Sequence, residues 1–119
     1  MANGLIYRQP PEMSREELEA EFASNDPERI MNALIAAFYT EPPDVVETWC
    51  HRFAAHPGEA ARRGAAIVLG NTAAVYGLRD FALAVSVLEE LRQDPAVKMH
   101  AEDSLGDVLR SGSRRKQTQ

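Results

Sequence analysis

EAARRGAAIVLG, residues 59–70, and PAVKMHAEDSLG, residues 95–106, carry one pattern twice. Laid over each other they pair Ala61 with Val97, Arg62 with Lys98, Ala65 with Ala101, Leu69 with Leu105 and Gly70 with Gly106, at an offset of 36 residues. The paired apolar and small positions recur every four residues, the spacing that puts side chains on one face of a helix. The same offset pairs Asp44 with Asp80, each at the start of the preceding amphipathic segment. The repeating unit is therefore a helical hairpin, 44–70 and then 80–106. Hairpins stacked at a fixed period bury a continuous core that no single one could bury, which predicts an all-α fold, a short α-solenoid of about six helices in antiparallel pairs.

The rest of the chain divides into pieces of the same kind. SREELEAEF, DPERIMNALIAAFY, PPDVVETWCHRFAAH and DFALAVSVLEELRQ have helical length, and none alternates with the period of a strand. Ser14 with Glu17 reads as a capping box, and Asp26 and Asp94 stand ready to cap just ahead of Pro27 and Pro95. Gly77 suits a left-handed cap before Asp80 opens the next helix. Pro10, Pro11, Pro42, Pro43 and Pro57 separate the pieces. The expected layout is an N-terminal extension over 1–12, one helical domain over 13–110, and a disordered basic tail over 111–119.

Helix 44–55 is expected to bury Val45, Val46, Trp49, Cys50 and Phe53, and helix 80–92 to bury Phe81, Ala84, Val85, Leu88 and Leu91. In 59–76 the apolar set, Ala61, Ala65, Ile67, Val68, Leu69, Val75 and Tyr76, runs round much of the circumference, as a central helix with neighbours on several sides requires. The last helix carries its core stripe on Val97, Ala101, Leu105 and Val108.

Composition bounds function. The 119 residues, 45% apolar and 26% charged, suit one globular domain. No apolar run approaches the ~18 residues of a membrane span, the start shows no basic region leading into an apolar one, and a single cysteine excludes an internal disulfide. The expected location is cytoplasmic. Formal charge is −5, but Arg114, Arg115 and Lys116 all lie in the tail, so residues 1–110 hold 10 bases against 18 acids. Such a body repels phosphate backbones and attracts cations, so a basic protein is the expected partner, and nucleic acid is not.

The helical wheel turns Asp103 and Asp107 outward with His100 beside them, while Lys98 and Glu102, four apart, can pair across the surface. Glu89, Glu90 and Asp94 precede them, and together Glu89, Glu90, Asp94, His100, Asp103 and Asp107 form a candidate negative ridge for binding a partner. One helix supplies too few ligands for a metal there, with no cysteine and no second histidine close in sequence. Cys50 and His51, adjacent on a helix, point about 100° apart and make no thiolate–imidazolium pair. His56 reads as a helix-end histidine, Arg62 and Arg63 as surface or ion-paired arginines. No phosphate loop, nucleophilic triad or dinucleotide fingerprint is present, so no catalytic residue, cofactor or small-molecule ligand is expected.

Pro95, Val97, Lys98, Ala101, Leu105 and Gly106 resemble the second helix of a HEAT-type repeat. Glu59 stands where that pattern usually has proline. Over roughly residues 24–109 the order of features, from DPERIMNALIAAFY through the Trp-Cys helix and HPGEAARRGAAIVLG to YGLRDF and DPAVKMHAEDSLGDV, resembles the small HEAT-like immunity proteins of polymorphic and contact-dependent growth inhibition toxins. The resemblance implies a non-enzymatic, stoichiometric inhibitor that covers a cognate toxin domain, often a basic nuclease. The other reading is a HEAT-like adaptor or scaffold with an endogenous protein partner.

Overall fold

The computed structural model describes residues 12–118, with side chains described as far as Gly112. Six helices and no strand make up the described residues: α1 (Arg15–Ala23), α2 (Pro27–Thr40), α3 (Pro43–Phe53), α4 (Glu59–Val75), α5 (Phe81–Leu91) and α6 (Lys98–Thr118). Nearly all of the expected 1–12 extension lies outside the described residues.

The start signals work as their chemistry requires. The Ser14 hydroxyl accepts from the Glu17 amide at 3.1 Å while the Glu17 carboxylate accepts from the Ser14 amide at 2.8 Å. Asp26 accepts from the amides of Glu28 and Arg29 ahead of α2, and Asp80 from that of Leu83 in α5. Gly77 takes φ +83° and donates to the carbonyls of Thr72 and Ala73, closing α4. Asp94 accepts the Ala96 amide at 3.0 Å, as a cap ahead of Pro95 would, but the helix itself starts later than expected. Residues 95–97 form a turn in which Val97 donates to the Asp94 carbonyl, and α6 begins at Lys98 instead of Pro95.

Helix α4 is the centre of the molecule, in contact with α2, α3 and α6, while α1 lies on α2 and α5 on α6. Glycine sets the closest approaches. A Cβ on Gly64 would stand 3.0 Å from Cα of Met31 in α2, and one on Gly70 would stand 2.9 Å from Cα of Ser104 in α6. Gly58 meets Pro27 and Arg62 meets Asp94, so both sets of contacts advance in the same direction. Helices α2, α4 and α6 thus run parallel as one contiguous layer, with α1, α3 and α5 on its other side. In that second layer Phe22 of α1 rests on Trp49 and Phe53 of α3, with ring centroids 4.9 and 5.0 Å apart.

The repeat positions Ala61, Ala65, Leu69, Val97, Ala101 and Leu105 are all buried. Seven core assignments change. Trp49, with Val45, is only half-buried, because Trp49 closes the α1–α3 seam beneath the Arg15 guanidinium, 5.5 Å from its ring. Ile67, Phe81 and Val85 are also half-buried. Val75 and Tyr76 are exposed, 62% and 57%: with Gly64 set against Met31, the last turn of α4 projects past the end of α2 at Thr40. At the other terminus, Ser111 is buried and Gly112 packs on Phe81, where a Cβ would stand 2.5 Å from Cε1 of the ring. The backbone of 111–118 continues α6 as helix, so the helical unit does not stop at residue 110.

Candidate functional site

The six ridge residues divide into three settings. Glu89 pairs with Arg92 at 3.1 Å, and the same arginine lies 3.8 Å from Glu102. Glu102 therefore turns toward α5, and the expected Lys98–Glu102 pair is replaced by a contact between helices. Asp94 is structural: its carboxylate accepts Nε and Nη2 of Arg62 at 3.0 and 2.8 Å and the Ala96 amide at 3.0 Å. Arg62 also donates to the carbonyls of His56 and Pro57, so this pair clamps the α3–α4 turn to the α5–α6 turn.

On α6 the exposed His100 and Asp103 and the half-buried Asp107 lie on the arc between Ser104, which faces α4, and Gly106, which faces outward. Glu102 lies beyond Gly106, on the arc toward α5. His100, Asp103 and Asp107 thus share a face that Glu89 and Glu102 do not. Asp107 is engaged by Arg110. Among the described residues, Glu90 and Asp103 are the ridge carboxylates without an ion pair. No three His, Cys, Asp or Glu side chains among the described residues are grouped so as to hold a metal ion.

A second acidic surface escaped the sequence reading. Glu47 is buried, 4% exposed, and accepts the backbone amides of Arg79 and Asp80 at 2.8 and 2.9 Å. An α3 carboxylate thereby fixes the turn that leads into α5. A signal existed: Glu47 falls on the α3 stripe beside Val46 and Cys50, where a charged residue needs fixed donors. Around it open two adjoining clefts. The larger, about 600 Å³, is lined by Pro43, Asp44, Glu47, Tyr76, Leu78 and Arg79. The smaller, about 390 Å³, extends along α3 and α5 past Thr48, His51, Asp80 and Leu83.

His51 sits in the floor of that surface with both ring nitrogens buried and without a hydrogen bond, Nε2 lying 3.9 Å from the Glu47 carboxylate. Burial lowers its pKa from the usual value of 6.5, against the opposing pull of Glu47 and Asp80. The unfolded chain therefore takes up this proton first as pH falls, and the native state loses the contribution of neutral His51 below pH 6.5. The carboxylates acting on the ring are Glu47 on its own helix and Asp80 at the cap of α5, and Glu90 of α5 lines a small cleft beside it. His51→Gln is expected to flatten the decline in urea midpoint between about pH 6.5 and 5. An unchanged pH profile in the variant would assign that decline to other groups.

The remaining candidates are structural. Cys50 is fully buried, which drives its thiol pKa upward and removes its nucleophilic form. His56 does not cap α3; its Nδ1 accepts the Gly58 amide and its Nε2 meets the Asn25 side-chain oxygen, each at 2.8 Å, tying the α1–α2 turn to the α3–α4 turn. Arg63 pairs with Glu59. No protein-family model matches this sequence, and comparison with curated proteins and with solved structures gives no significant match.

Proposed function

We propose that this chain is a non-catalytic binding protein, a short HEAT-like α-solenoid that acts in the cytoplasm. It neutralises the toxin domain of a cognate secreted effector of the contact-dependent growth inhibition type by occluding it stoichiometrically. The observation that carries the reading is charge: 18 acids against 10 bases in the first 110 residues, the balance that draws in a basic nuclease domain and disfavours nucleic acid itself. The parallel stacking of α2, α4 and α6 across glycine and alanine supports the solenoid, because small residues at each crossing are what allow successive repeats to stack.

The α6 face of His100, Asp103 and Asp107 is the first contact surface, with Glu90 the ridge carboxylate on α5 that keeps an unneutralised charge; Glu89 and Asp94 contribute through the ion pairs that shape the ridge. The direct test expresses the C-terminal domain encoded by the upstream neighbouring gene with and without this protein. Growth arrest relieved by co-expression, together with a 1:1 complex on size exclusion, is the expected result; a harmless neighbour and no complex reject the reading. With the complex in hand, Asp103→Lys combined with Asp107→Lys should slow association about tenfold or more at low salt and leave helical circular dichroism unchanged. Association kinetics equal to wild type would remove this face from the interface.

A further inference from the structure

We infer that the end of the molecule formed by Tyr39, Tyr76, Asp44 and Arg79 is a second docking surface, one that takes an arginine or lysine side chain from a basic protein. This rests on the partner being basic, as proposed above, but not on its being a toxin.

Three observations meet there. Tyr39, Val75 and Tyr76 are 62%, 62% and 57% exposed, although helical spacing placed Val75 and Tyr76 in the core. The two tyrosines are contiguous through Phe38, whose ring centroid lies 5.0 Å from that of Tyr39 and 6.0 Å from that of Tyr76. Exposed tyrosines in a row supply large, rigid contact area at small entropic cost, and such residues dominate binding energy at interfaces.

Tyr76 also lines the 600 Å³ cleft beside Asp44. An aromatic ring and a carboxylate in one recess are the two groups that together recognise a guanidinium or ammonium: the ring face attracts the cation and the carboxylate pairs with it. Glu47, the other carboxylate of the recess, is committed to the amides of Arg79 and Asp80 and so acts as a fixed floor.

The third observation is what fills the recess in the free protein. Arg79 reaches Asp44 with one nitrogen at a long 3.4 Å and remains 77% exposed at its side chain. Compare Arg62, which meets Asp94 through two nitrogens at 2.8 and 3.0 Å. Arg79 therefore occupies the position of the incoming cation loosely, a built-in competitor that a better-placed partner arginine displaces. An exposed pair of this kind has little stability to lose.

The experiment uses hexa-arginine amide as the probe and hexa-glutamate as the control. Each is titrated at low salt into the full-length, isotope-labelled protein and followed by amide chemical shifts. Hexa-arginine should shift the amides of Asp44, Tyr76, Gly77, Leu78 and Arg79. Asp44→Asn and Tyr76→Ala, both surface changes checked by circular dichroism, should each weaken binding about three- to thirtyfold. Arg79→Ala should strengthen it severalfold by removing the competitor. The proposal is overturned if shifts fall only around His100–Asp107, if Arg79→Ala weakens binding, or if the Tyr39–Tyr76 face is instead buried in a dimer of this chain. Because the probe needs no toxin, binding of hexa-arginine beside a failed neutralisation test would reject the immunity reading alone. Neutralisation that survives Asp44→Asn and Tyr76→Ala unaltered would reject this surface alone.

Discussion

Gly70→Ala should destabilise the protein by about 1–3 kcal/mol, while Gly106→Ala, at the equivalent position of the repeat, should be neutral or stabilise by up to about 1 kcal/mol. The two glycines are written into the same pattern, so their opposite outcomes isolate what the pattern is for. At Gly70 a methyl group would stand 2.9 Å from the backbone of Ser104, and two packed helices would have to separate. At Gly106 it meets only the Arg110 guanidinium of its own helix, at 3.5 Å, a flexible end that moves aside. There the usual helix preference for alanine over glycine is all that remains. Thermal denaturation reads the difference directly, at roughly 4–8 °C for each kcal/mol in a domain of 60–100 residues. Equal losses at both sites would mean that the close approach of α4 and α6 is not what the glycine permits.

Glu47→Ala is expected to cost about 1–3 kcal/mol, a loss of the size that follows when donors at a partly buried turn are left without their acceptor. The carboxylate holds two successive amides, those of Arg79 and Asp80, across a sequence separation of more than 30 residues. Its removal frees the start of α5 from α3. Glu47→Gln tests the charge separately: one amide oxygen can hold one donor well, so its loss should be smaller than that of alanine, with the difference measured by urea unfolding. Hydrogen exchange should rise first at Asp80 and in the first turn of α5, the local opening such a tether prevents. A variant as stable as wild type, with unchanged exchange there, would show that water replaces the carboxylate at no cost.

These two residues also mark where the sequence was legible and where it was not. Gly70 could be read because a repeat states its own spacing: the offset of 36 aligned six apolar positions, and all six are buried. The caps at Ser14, Asp26, Asp80 and Gly77 could be read because each depends on one residue, through its side chain or, at Gly77, its left-handed backbone, a few positions from the amides or carbonyls it serves. Glu47 shows less: its place on the α3 stripe marks it as a residue in need of donors, but the donors, the amides of Arg79 and Asp80, lie in a turn more than 30 residues away that no local pattern points to.

The candidate ridge shows the same limit. Outward-facing Asp103 and His100 followed from the wheel of one helix, whereas the neutralisation of Asp94 by Arg62 and of Glu102 by Arg92 required knowing which turns and helices meet. Val75 and Tyr76 make the point in reverse. Their periodicity is that of a core, but periodicity assumes a neighbour along the whole helix, and α2 ends too early to cover them.

Local sequence accounts for the all-helical character of the described residues, for where most of the helices start and stop, and for which face of each repeat helix is buried. All of these are set by interactions within a few residues and by the 3.6-residue turn. Which acids remain available and which apolar residues remain exposed followed instead from packing between distant parts of the chain. Both depend on how far neighbouring helices extend and on what each turn touches, contacts between residues distant in sequence that no local pattern encodes.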